Sequence, residues 1–327
     1  MLEQVFILLV AFIVLVVSAD KFVLGASSLA RNLGVSPMII GLTIVAMGSS
    51  APEMMVAAAA SLQGNPDTAI GNAIGSNITN IALVLGISVL IKPLMVSSST
   101  IKQELPLLLI LTLLAYWMLS DNFFSFSEGV VLMISFFGFI AILLIKALKQ
   151  RKNHRMNDPM IIEAEQELPD KISTTMAIVW LISGILFLVL SAHFLVDSAI
   201  FIAKAYGISD LVIGLTIIAL GTSLPELAAT IASIRKGEDD LAMGNIVGSN
   251  IFNILAVLPF AGIIAPGAIN PEASLRDAPV MIAITTLLFI LCFSRKAGFF
   301  RLTRIKGALL VFTFIAYQVL LFSQITR

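Results

Sequence analysis

Two glutamates stand in otherwise apolar stretches, Glu53 in IGLTIVAMGSSAPEM (Ile40–Met54) and Glu226 in IGLTIIALGTSLPEL (Ile213–Leu227). Each follows a proline directly and has two hydroxyls within the preceding four residues, Ser49 and Ser50 in one case, Thr222 and Ser223 in the other. A carboxylate at the centre of a membrane helix costs roughly 2.5–3.5 kcal/mol on insertion scales. Neither stretch holds a Lys or Arg, so the chemistry these residues suit is the binding of a cation. Pro52 and Pro225 have no N–H, and their rings clash with the carbonyl four residues back, which predicts that each helix opens near Gly48 and Gly221. Backbone opened at membrane depth is tolerated only where protein or a cavity covers it, and the freed carbonyls become candidate cation ligands.

Ser49 and Glu53, four residues apart, share a helix face, as do Thr222 and Glu226. The following segments, GNAIGSNITN (Gly71–Asn80) and GNIVGSNIFN (Gly244–Asn253), place Asn72, Ser76 and Asn80 on one stripe and Asn245, Ser249 and Asn253 on its twin. Carboxylate, hydroxyl, amide and carbonyl oxygens are hard ligands that suit calcium and sodium alike. With no His or Cys in either motif, softer metals are not expected. Gly71, Gly75, Gly244 and Gly248 read as small residues that let helices approach closely.

The elements that carry these residues are membrane helices. Of the 327 residues 58% are hydrophobic and 12% charged, and the mean hydropathy is +1.02. Apolar runs near 4–31, 38–62, 67–91, 103–120, 126–148, 174–203, 211–235, 241–265, 278–294 and 304–323 predict ten spans of about 20 residues. The first run lacks a basic leader and a cleavage-like break and reads as a retained span. Gly34–Leu85 aligns without a gap on Gly207–Leu258 with half the positions identical. Five spans per copy make the second copy enter from the opposite side, so the expected fold is an all-α membrane protein of two inverted-topology five-helix repeats. The halves are 1–148 and 174–327, joined by a polar linker at 149–173.

With the N-terminus outside, 16 Lys and Arg fall in inner loops and 3 in outer ones. The positive-inside rule then puts both termini on the extracytoplasmic face and the central loop in the cytoplasm. Zero net charge argues against nucleic acid as a partner, and the single Cys292 excludes an internal disulfide framework. No nucleophile with a nearby base, phosphate-cradling loop or hydrolase His pair is evident, so neither an enzyme nor a cofactor is expected.

The motifs GSSAPE…GNAIGSN and GTSLPE…GNIVGSN resemble the two alpha repeats of the sodium/calcium exchanger family, of the calcium/cation antiporter superfamily, and look most like its prokaryotic branch. The resemblance covers essentially the whole chain. It implies a plasma (inner) membrane antiporter in which sodium entry drives calcium out, by alternating access with the first and sixth helices sliding against the other eight. It further implies that Glu53 and Glu226 bind calcium and sodium, and that Ser49, Ser50, Thr222, Ser223 and the carbonyls of Ala46 and Ala219 complete the shells. Ser76, Asn80, Ser249 and Asn253 would line the same cavity. The partners are then calcium, sodium and the bilayer, with no obligatory protein partner evident.

Several members of the family carry an aspartate where this chain has Asn253. The resemblance leaves a proton-coupled calcium/cation antiporter as the alternative, although the proton-coupled relatives carry an acid soon after the GN motif, which is absent here. His193 aligns with Asp20 across the repeat, and this intramembrane pair is expected to make polar contacts in the bundle or at a cavity mouth, with proton coupling as the rival role. A channel would use similar oxygen ligands, but repeats of this kind around a closed midplane site favour alternating access.

Overall fold

The computed structural model describes residues 2–154, 172–206, 219–293 and 300–325, and the described part is almost entirely helical. Helix α1 (Leu2–Leu33) is followed by α2 (Pro37–Ser49) and α3 (Ala51–Leu62), which meet at a 47° bend. Next come α4 (Pro66–Ile91), α5 (Thr100–Leu119), α6 (Phe126–His154) and α7 (Thr174–Ala205). Short α8 (Ala219–Thr222) leads into α9 (Leu224–Lys236), then α10 (Asp239–Ile264), α11 (Ala273–Cys292) and α12 (Arg304–Ile325). Eight of these are long and apolar enough to cross a membrane, and the bent pair α2–α3 makes nine among the described residues. The tenth expected span, 211–235, falls partly outside the described residues; its later part is helical as α8 and α9.

The helix breaks fall later than the proline argument places them. The chain leaves the helix at Ser50 (φ −85°, ψ 8°) and Ser223 (φ −89°, ψ 5°), not near Gly48 and Gly221. Each proline thereby occupies the first turn of the next helix, where a missing N–H costs nothing because that group has no intrahelical acceptor. The α6 helix also runs past the expected linker boundary at 149 to His154. Lys149, Gln150, Arg151 and Lys152 are good helix formers, and no glycine or proline stops them.

The two helices with the GN motifs form the centre. In α4 72% of the span is buried and in α10 89%, against 22% in α1 and 28% in α7. Lipid gives helices little hydrophobic reason to associate, so close packing through small residues must hold them. In the α1–α7 crossing, a Cβ on Gly25 would stand 2.5 Å from the Leu181 nitrogen, and one on Gly184 2.7 Å from that of Phe22. At the centre, Gly244 and Gly248 let α10 press on α2: their Cβ positions lie 2.7 Å from the Met38 carbonyl and 2.9 Å from the Leu42 Cα. For Gly71 and Gly75 no atom of the described residues lies within 4 Å of such a Cβ, so the packing role expected of all four glycines is seen for the second pair alone.

Among the described residues five π-helical turns interrupt the spans, at Gly41–Val45, Thr79–Leu85, Thr100–Glu104, Asn253–Val257 and Ala273–Asp277. The second and fourth follow the GN motifs of the two copies. Among the described residues two small antiparallel ladders tie the halves together. Strand β1 (Leu94–Val96) pairs with β4 (Phe300–Leu302), and β2 (Phe123–Phe124) with β3 (Gly267–Ala268).

Ion pairs hold α1 to the turn between α9 and α10: Arg31 Nη2 lies 2.6 Å from Glu238 Oε1 and Lys236 Nζ 2.7 Å from Asp20 Oδ1. His193 instead reaches Asp197 one turn on, at 3.3 Å, with both side chains more than half exposed. Asp20 and His193 thus sit in separate polar contacts.

Candidate cation site

The first turns of α3 and α9 each deliver a carboxylate into the centre of the bundle. Glu53 and Glu226 are both 0% exposed. A helix N-terminus favours negative charge, by typically 0.3–1 kcal/mol, and this placement follows directly from the breaks at Ser50 and Ser223. The site exists because the helices stop there.

The side-chain bonds of Ser49 and Ser50 run to the second copy, not to the carboxylate of their own. Ser50 Oγ donates to Glu226 Oε1 at 2.9 Å, so the first copy reaches across to the acid of the second. Ser49 Oγ donates to Asn245 Oδ1 at 3.1 Å and lies 3.5 Å from Ser249 Oγ. The sequence suggests pairing within each copy because it presents one helix at a time; the bend turns Ser49 toward α10.

Asn72 and Asn245, read from sequence as part of the stripes, hold the main chain at the acids. Asn72 Nδ2 donates to the Glu53 carbonyl at 3.0 Å, and Asn245 Nδ2 to the Glu226 carbonyl at 3.4 Å and to Thr230 Oγ1 at 3.0 Å. This repeated bond accounts for the asparagine of both GN motifs. Thr230 carries no sequence signal, since Ala57 occupies its place in the first copy.

The remaining expected residues surround the acids. Ser76, Asn80, Ser223, Ser249 and Asn253 are all buried. Thr222 ends α8, next to the break. Ala219 begins that helix, and the Ala46 carbonyl accepts the Ser50 N–H at 2.9 Å and the Ser49 hydroxyl at 3.4 Å. Asn80 and Asn253 sit in the first turns of π segments, where the wider winding re-aims a side chain relative to a regular helix.

Buried polar atoms are normally hydrogen-bonded. Among the described residues, both oxygens of Glu53, Oε2 of Glu226, both amide atoms of Asn80 and of Asn253, and the Ser223 hydroxyl are buried with no partner. No Lys, Arg or His is among the buried side chains of the described residues. The arrangement presents two carboxylates and a surround of neutral oxygens without a protein cation to balance them. Its chemistry is that of a hard-cation binder.

The family described as "Sodium/calcium exchanger protein" matches residues 3–145 and 176–323. The chain is similar to the putative antiporter CaxA of Alkalimonas amylolytica, with 53% identity over 99% of this chain and all of the relative. It is 40% identical to the inner membrane protein YrbG of Escherichia coli, over 98% of each chain. Among solved structures it is similar to the sodium-calcium exchanger NCX_Mj soaked with sodium and calcium, at 32% identity and a TM-score of 0.78, covering 96% of this chain and 97% of that one.

Proposed function

The chain belongs to the sodium/calcium exchanger protein family and is an integral membrane antiporter, and from that premise we propose that it exchanges sodium for calcium through a site centred on Glu53 and Glu226. The observation that carries this reading is the pair of fully buried carboxylates, three of whose four oxygens have no partner among the described residues. Calcium and sodium both take carboxylate, hydroxyl and amide oxygens. Ser49, Ser50, Thr222, Ser223, Ser76, Asn80, Ser249, Asn253 and the Ala46 and Ala219 carbonyls complete the shells.

The halves 1–148 and 174–327 act as inverted repeats about this site. Transport proceeds by alternating access, with α1 and α7 sliding on the other helices, and both termini lie on the extracytoplasmic side of the inner membrane. The close α1–α7 crossing favours movement of those two helices as a unit, since their backbones touch through Gly25 and Gly184.

The test is calcium uptake into vesicles loaded with sodium and diluted into sodium-free medium. Uptake should require the sodium gradient and disappear in Glu53→Gln and Glu226→Gln. Uptake driven by a pH gradient alone would replace sodium with protons as the coupling ion.

A further inference from the structure

We propose that the crevice between α5 and α6 binds one phospholipid with an ethanolamine headgroup, its ammonium on Glu104, its phosphate on Lys146 and part of one acyl chain between the helices. The site shares no residue with the one centred on Glu53 and Glu226.

The crevice has a volume of about 300 Å³. Its walls are apolar, with Leu107 and Leu111 from α5 and Phe139 and Leu143 from α6, while Gln103, Glu104 and Lys146 gather at one end. Ser135 also lines it but donates its hydroxyl to the Val131 carbonyl. Apolar walls with a few convergent polar groups are the usual form of a small-ligand site. Gly138 and Ile142 are exposed, and a Cβ on Gly138 would meet no atom of the described residues within 4 Å. The crevice therefore opens on the outer face of the bundle, where lipid lies.

Glu104 is 9% exposed, and its Oε2 is buried with no partner among the described residues. Its mate in the other copy shows what an acid at this position takes. Glu104 closes the π turn Thr100–Glu104, and Asp277 closes the equivalent turn Ala273–Asp277. Asp277 accepts from Arg276 Nε at 2.7 Å, from Arg276 Nη2 at 3.0 Å and from the Tyr317 hydroxyl at 2.9 Å. The first copy has Gln103 in the place of Arg276, and Glu104 faces the crevice. Donors that the second copy builds into the protein must here come from the occupant.

The charges on the page choose its kind. Lys146 and Asp240 are the charged groups that act on Glu104. A free cation would be repelled by Lys146 and a free anion by Glu104 and Asp240, whereas a zwitterion meets both signs. Lys146 Nζ donates to Gln103 Oε1 at 2.9 Å, and an ammonium with three N–H groups can take a phosphate oxygen as well. A primary ammonium brings the N–H donors that Glu104 lacks; a trimethylated choline headgroup has none, and a glycerol headgroup has no positive charge. On the orientation proposed above, this end of α5 and α6 faces the cytoplasm, so the lipid belongs to the inner leaflet.

The experiment titrates radiolabelled dioleoyl phosphatidylethanolamine onto the full chain in detergent and competes it with unlabelled lipids. Unlabelled phosphatidylethanolamine should displace the label at about tenfold lower concentration than phosphatidylcholine or phosphatidylglycerol, the worth of one charge-assisted hydrogen bond. Equal competition by phosphatidylcholine would mean that no N–H donor is read, by phosphatidylglycerol that Lys146 acts alone, and by a free fatty acid that the apolar walls do. Each of these results, or the absence of saturable binding, overturns the proposal.

Glu104→Gln should abolish the preference for phosphatidylethanolamine over phosphatidylcholine, and Gly138→Phe, which fills the crevice, should weaken the binding of both. A diazirine in the acyl chain should label α6 between Gly138 and Leu143, and not in Gly138→Phe. Labelling elsewhere, or a preference that survives Glu104→Gln, would remove the site. The competition series needs only the unaltered protein, so it decides the question even where a variant fails to fold. Its readout is lipid binding, so a failure of sodium-driven calcium uptake would count against the proposed exchange and not against this site.

Discussion

At the scale of single residues, Asn245 and Asn72 occupy equivalent positions but bear unequal loads. Asn245 is fully buried and bridges Ser49, Thr230 and the Glu226 carbonyl, whereas Asn72 is half-buried and holds only the Glu53 carbonyl. Each buried partner left unsatisfied costs about 1–3 kcal/mol. Asn245→Ala should therefore lower the thermal midpoint in detergent more than Asn72→Ala, and a reversed order would show that these bonds do not hold the site. The acids and asparagines were legible in the sequence because they recur at one offset against an apolar background. The Ser50–Glu226 bond was not, because it joins residues 176 apart whose meeting depends on the bend at Ser50.

At the scale of helices, the α1–α7 crossing is set by two glycines rather than by large apolar side chains. Overpacking typically costs 1–3 kcal/mol, and at Gly25 an added side chain meets backbone that cannot turn aside. Gly25→Leu should destabilise the protein by about that amount or more and suppress uptake, while Gly138→Ala, with open space at its Cβ among the described residues, should change the midpoint little. Thermal unfolding of both variants separates a tight crossing from a general intolerance of glycine substitution. Apolar runs of sufficient length made the spans legible. The π turns and the short ladders were not, since a π turn is one residue of extra winding that leaves the apolar pattern almost unchanged, and strands of two or three residues are too short to show alternation.

At the scale of the whole molecule, basic side chains gather where helices end. Lys92 Nζ donates to the Ile234 carbonyl at 2.8 Å, Arg304 to Leu90 and Ile91 at 3.1 and 3.2 Å, and Lys306 to Leu291 at 2.5 Å. The residues that the positive-inside rule counts thus also satisfy carbonyls left open at the ends of α4, α9 and α11. With that end in the cytoplasm, a cysteine at Ser173 in a Cys292→Ser background should react with an impermeant thiol reagent only after the inner face is exposed, and one at Ser120 from the outer face. Labelling in the opposite order would invert the assigned topology.

The ion pairs at the turn between α9 and α10 use residues whose repeat mates differ in charge. The positions equivalent to Lys236 and Glu238 in the first repeat are Gln63 and Asn65, neither of which carries a charge. The two copies of one plan are therefore not fastened by the same charges at these positions. Exposed ion pairs contribute at most about 1 kcal/mol each and weaken with salt, so the fastening acts as a light catch, not a lock. Arg31→Gln should release it, and the ionic-strength dependence of the transport rate should flatten in that variant; an unchanged salt profile would assign the catch no part in transport. The protein would then have a preferred side on which to wait between cycles, although its sequence is written almost the same way twice.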